Sequence, residues 1–136
     1  MSTSIDRSVP PAWRWFFLVA AIYDIALGLA FMVAGETILK AIGMELPPHI
    51  AYIQLAALFV LVQGLSYLLP WRDAWTNEGV VWVGVAYKGS YAALAAWYLV
   101  TCLLPSTFFI PWAIIDVAFM IGFLWFLRVA ARRRAA

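Results

Sequence analysis

The chain has 136 residues, of which 66% are hydrophobic, 17% aromatic and only 12% charged, with a net charge of +2. A soluble domain this small has too much surface for its volume to hide that much apolar material. Composition therefore excludes a soluble globular domain and makes lipid the solvent for much of the chain. Cys102 is the single cysteine, so an internal disulfide and a cysteine-based metal cluster are excluded; it reads as a small apolar packing residue.

Taken in order, the chain is one domain, 1–136, of four apolar stretches long enough to cross the hydrocarbon core. They cover approximately 15–34, 50–69, 80–100 and 110–127, flanked by short tails at 1–12 and 129–136. The breaks are GETILKAIGMELPPH, PWRDAWTNEG and CLLPSTFFIP, each with proline. Backbone groups in lipid need internal hydrogen bonds, so each stretch is expected to be helical. The fold class is an all-α membrane protein, a four-transmembrane-helix bundle. The first stretch is read as a retained helix rather than a secretory signal, because Asp24 interrupts it and no small-x-small cleavage site follows.

Orientation follows from Lys and Arg outside the spans. Arg7, Arg14, Arg72, Arg128, Arg132, Arg133 and Arg134 fall on one side, and Lys40 alone on the other. Both termini are expected in the cytoplasm. The ARRRAA tail reads as a topological anchor against anionic headgroups, not as a nucleic-acid patch. The eight tryptophans read as interfacial anchors, with no ligand cage among them.

Three charges remain inside the spans: Asp24 in AIYDIA, Lys88, and Asp116 in AIIDVA. Helix rise puts all three roughly 9–15 Å from the nearest membrane surface. Charges there are costly, and pairing offsets the cost. Two acids against one lysine leave one acid over, which either holds a proton or shares one within the set. On helical spacing Ala20, Asp24, Gly28 and Phe31 form one stripe. So do Gly84, Lys88, Tyr91 and Ala95, and likewise Trp112, Asp116, Met120 and Phe123. The second span offers Tyr52, Ala56, Phe59, Gln63 and Tyr67, with Gln54 about half a turn out of phase. The candidate intramembrane polar site is therefore Asp24, Gln63, Lys88, Tyr91 and Asp116. Two aspartates in similar surroundings also fit an inverted repeat. Such short apolar matches arise by chance, so the two motifs are read as one physical requirement met twice.

His49 is the lone histidine and follows Pro47 and Pro48 at a membrane edge, so it reads as a headgroup contact rather than a ligand. A Ser-His-Asp set and nucleotide-binding glycine motifs are lacking. No metal or cofactor is expected, and no catalytic or cofactor-binding residue is assigned.

The YDIALGL run at residues 23–29 and LVQGLSYLLP at 61–70 resemble small bacterial DoxX-like membrane proteins. The resemblance covers most of the chain and implies a multi-pass four-helix bundle in a bacterial inner membrane. Some DoxX-type proteins are associated with quinone-linked oxidoreductase complexes. No catalytic motif of that family maps onto residues here. The sequence supports three functions. One is a non-enzymatic protein whose buried Asp/Lys/Asp site binds or passes a small solute, lipid-like molecule or proton. Another is an accessory subunit of a larger membrane complex or a homo-oligomer. The third is an enzyme acting on a lipid or quinone through a carboxylate.

Overall fold

The computed structural model describes residues 9–102 and 108–135, and the described residues form helices joined by turns. They are α1 (Pro11–Ala41), α2 (Ala51–Ser66), α3 (Leu68–Arg72), α4 (Glu78–Val100) and α5 (Phe109–Ala135). The tail residues 1–8 and 136 and the loop 103–107 lie outside the described residues.

Helix ends follow from local chemistry. Proline occupies the first position of α1, where its missing N–H costs nothing. At the other end Gly43 adopts φ 73°. Gly43 N–H then donates to Lys40 O and Met44 N–H to Leu39 O, the paired bonds that close a helix on a left-handed residue. The break between α2 and α3 is set by Pro70. Its ring would meet the carbonyl four residues back, that of Ser66, where α2 stops. The two segments still run on as one interrupted helix, Ala51–Arg72.

Two boundaries differ from the sequence reading. α1 continues through GETILKA with a kink at Ala34, so residues 35–41 are helix rather than loop. At 31 residues it is about 46 Å long, more than a hydrocarbon core of about 30 Å. α5 likewise extends through Ala135, making residues 129–135 a helical continuation. Long Lys and Arg stems support a helix whether or not it is in lipid, so hydropathy alone does not mark the end.

Among the described residues, three helices are long and apolar enough to cross a membrane: Pro11–Ala41, Ala51–Arg72 and Phe109–Ala135. α4 has 23 residues, but Lys88, Gly89, Ser90 and Tyr91 dilute its apolar run.

The helices pack in alternating directions. Gly64 sits against Asp24 and Ile25, Gly28 against Leu61, and Gly35 against Ile53, so α2 runs antiparallel to α1. A β-carbon on Gly28 would come within 2.7 Å of the Leu61 backbone nitrogen, and one on Gly64 within 2.6 Å of the Ile25 nitrogen. The two backbones touch only because both positions lack a side chain, the usual basis of tight helix pairing in lipid. α5 pairs antiparallel with α4 through Phe123 on Gly84 and Met120 on Gly89. It meets α1 through aromatic contacts, including Phe17–Phe123 and Phe17–Phe126.

The core is concentrated at the arginine-rich end. Phe17, Tyr67, Val81, Phe123 and Phe126 are fully buried there, bordered by Trp13, Trp71 and Trp75. Those three tryptophans are thus core-edge packing residues, which corrects the reading of all eight as anchors. Trp15, Trp82, Trp97 and Trp125 are well exposed, as anchors should be. The same end shows where some of the tail charge goes. Arg133 lies 4.5 Å from the Trp75 ring, and Arg134 pairs with Glu78.

Cys102 is a second correction. It is exposed and adopts φ 55° just past the end of α4, a helix-ending position rather than a packing one.

Candidate functional site

Lys88, on α4, points into the centre of the bundle and is 1% exposed. Its Nζ donates to Asp24 Oδ1 of α1 at 2.6 Å. Asp116 Oδ1, from α5, lies 2.8 Å from the same nitrogen. That oxygen is off the hydrogen-bonding direction, so the second contact is ionic rather than a directed hydrogen bond. The site thus joins the two motifs quoted above: AIYDIA and AIIDVA, on antiparallel helices, each bring one aspartate to one lysine. Three rings surround the ammonium, with centroids at 5.0 Å for Tyr23 and 5.5 Å for Tyr87 and Phe119. Ring faces attract a cation, most strongly where water is excluded.

The arrangement follows from the small residues on each helix. Ala20, Ala21 and Gly28 flank Asp24 on the buried side of α1. Gly84 does the same one turn below Lys88, where it receives the rings of Tyr67 and Phe123. Close backbones bring three short reaches together, and the lysine stem spans what remains.

Away from the aromatic core, the helices part above the triad. A cavity of about 200 Å³ opens there. Asp24, Lys88 and Asp116 lie along it together with Tyr23, Tyr87 and Tyr91. Its apolar wall includes Leu27, Phe31, Val60, Phe108 and Trp112. Ala56 also lines it and is exposed, which puts it at the mouth. Asp24 Oδ2 and Tyr23 Oη are buried without hydrogen-bond partners. Buried polar atoms are rarely left so.

Four of the five expected residues, Asp24, Lys88, Tyr91 and Asp116, come together on this cavity. Gln63 does not line it. It faces a separate groove between α2 and α4, beside Val83, Ala86 and Ser90, and its Nε2 is buried without a partner. The expected inward stripe of α2 is also displaced: Tyr52 is 60% and Phe59 70% exposed, while Ala57 and Gly64 are buried. Small residues decide which face of a helix approaches another, so the glycine face outcompeted the polar one. Gln54, on a further face, donates to Met32 O at 3.4 Å.

Sequence reasoning missed Tyr87 and gave Tyr23 no role, although each directly precedes a buried charge. A residue adjacent in sequence sits about 100° round the helix, at the flank of its neighbour. That spacing is the signal that could have found both. Trp112, read as an anchor, is a cavity wall.

His49 is exposed and stacks edge-on against Tyr52 at 6.1 Å. Among the described residues, no three metal-ligating side chains gather. Arg72 ends α3, and Asp73 opens the turn after it, where Asp73 Oδ1 accepts from Trp75 N–H at 3.1 Å. No family model, no curated protein and no solved structure matches the chain, so the DoxX-like resemblance rests on the residues that carry it.

Proposed function

We propose that this is a four-span bacterial inner-membrane protein that binds a small amphipathic molecule in the central cavity, polar end on Asp24, Lys88 and Asp116. One observation carries the reading: a cavity with aromatic and aliphatic walls ends on a buried ion triad. Pockets that combine apolar lining with a few convergent polar groups are the usual form of a small-molecule site. An apolar cavity of about 150 Å³ accepts a benzene ring. About 200 Å³ therefore suits one ring or short chain with a polar arm.

The fourth span is α4. Its 23 residues reach about 34 Å, and its one central charge is compensated inside the bundle. Both termini lie in the cytoplasm on this reading, because Arg14, Arg72, Arg128, Arg132, Arg133 and Arg134 share the end opposite Lys40. Native Cys102 tests the orientation. An impermeant maleimide added to intact cells is expected to label Cys102 and to spare Arg132→Cys on a Cys102→Ser background; the reverse pattern refutes it.

Binding is tested in nanodiscs with three probes on one skeleton: phenethylammonium, 2-phenylethanol and phenylacetate. At least one is expected to bind saturably, to lose binding in Ala56→Trp, which fills the mouth, and to keep it in Ala131→Trp on the outer face. Saturable binding of none of the three, or equal binding in Ala56→Trp, refutes the cavity reading.

A second reading, an accessory subunit, has its own support. Ala92, Ala95, Ala96 and Ala113 line an outer groove between α4 and α5 that a foreign helix could enter. A stoichiometric partner retained in mild detergent would favour it.

A further inference from the structure

Resting on the cavity reading above, we infer that the site selects a small organic ammonium ion, with Asp24 as its counter-ion and the tyrosine rings as its cage. The inference comes from the balance of donors and charges around the triad. The fixed charges are the carboxylates Asp24 and Asp116 against the ammonium of Lys88, and they sum to one negative charge when all three are ionised. α2 adds no compensating charge; its nearest polar group is the neutral amide of Gln63, on a different groove.

The lysine is already paired with both carboxylates. Its ammonium lies against Asp24 Oδ1 and Asp116 Oδ1 and is ringed by Tyr23, Tyr87 and Phe119. An anionic head would have to compete with two carboxylates for that ammonium. Among the buried atoms without a hydrogen-bond partner are two acceptors of the triad, Asp24 Oδ2 and Asp116 Oδ1, both on residues that line the cavity. Tyr23 Oη, also buried without a partner, can donate or accept. A ligand that completes this site must therefore bring N–H or O–H donors, and a positive charge fits better than none. A carboxylate or phosphate head would meet the charge of Asp24, with only tyrosine hydroxyls and an already paired lysine to oppose the repulsion.

The wall agrees. Tyr23, Tyr87, Tyr91 and Trp112 line the same space, and aromatic rings favour a cation over a neutral isostere when desolvated. Phe31 and Leu27 supply an apolar seat for the body of the ligand. The volume of about 200 Å³ limits that body to about one ring.

The probes named above test the charge preference in wild-type protein without any substitution. Phenethylammonium is expected to bind at least about tenfold tighter than 2-phenylethanol, and phenylacetate weakest of all. In Asp24→Asn the ammonium should fall to the level of the alcohol while the alcohol is unchanged. Trp112→Leu, which keeps the ion triad, should weaken the ammonium more than the alcohol. If the alcohol or the acid binds as tightly as the ammonium in wild type, the cavity binds amphiphiles but the charge inference is wrong. If the preference survives Asp24→Asn, Asp24 is not the counter-ion. If none of the three probes binds, the cavity reading itself has failed.

Discussion

The two ends of the bundle are built from the same kinds of residue and behave differently. At the arginine-rich end, Phe17, Phe123 and Phe126 interlock, with Phe17 and Phe123 stacked at 5.8 Å and the Tyr67 and Phe123 rings both seated on Gly84. At the other end Phe31, Phe108 and Trp112 surround open space. Both ends are aromatic. What separates them is the partner: rings press on a glycine at the closed end, at Gly84 and at Gly122 beneath Phe16, while at the open end a β-carbon on Gly35 would still stand 3.8 Å from Phe31. A ring fills a hole only where the opposite backbone leaves one. The ion triad lies at the boundary, with packed rings below and a cavity above.

The largest effect expected belongs to that boundary. Lys88→Met leaves two buried carboxylates without a counter-charge, and breaking a buried pair costs about 3–5 kcal/mol. Thermal melting in detergent should drop sharply. Lys88→Met combined with Asp24→Asn and Asp116→Asn should recover most of the loss, since only neutral groups remain. A triple variant no more stable than the single one would show that the triad is not what holds these helices in register.

The comparison of the two ends is sharpened by a matched pair. Phe123→Ala in the closed end should cost about 3–5 kcal/mol, the usual range for a buried ring. Trp112→Ala beside the cavity should cost less than half as much, because its ring already borders open space. Equal losses would mean that the cavity wall is as tightly packed as the core.

Smaller effects come from the helix termini. Arg134→Ala removes a pair whose arginine is 65% exposed, and about 0–1 kcal/mol is expected by chemical melting. Cys102→Gly should leave stability unchanged or raise it by up to about 1 kcal/mol, because glycine accepts the left-handed conformation that cysteine resists. A clear loss would show that the thiol makes contacts its exposure does not indicate.

Much of the site was legible because charge in an apolar run is costly. Asp24, Lys88 and Asp116 stood out from residue type alone, and the small residues beside Asp24 and Lys88 marked faces where helices could close. Tyr91 followed from its place one turn from Lys88. Gln63 did not follow, because polarity was taken to indicate the inward face of α2 when Gly64 decided it. The helix limits at Ala41 and Ala135 were not legible either, since charged residues that end an apolar run do not end a helix.

The sequence by itself determined that the chain is helical, apolar and charged mainly at one end, because backbone satisfaction in lipid and the cost of isolated charge act locally. Only the tertiary structure decided that both aspartates meet the same ammonium, that the tyrosines preceding two of the charges cage it, and that one end of the bundle closes while the other holds a cavity. Those outcomes depend on which backbones approach closely. That is settled by pairs of residues far apart in sequence, Gly28 with Leu61 and Gly84 with Tyr67 and Phe123, and no single helix contains the information.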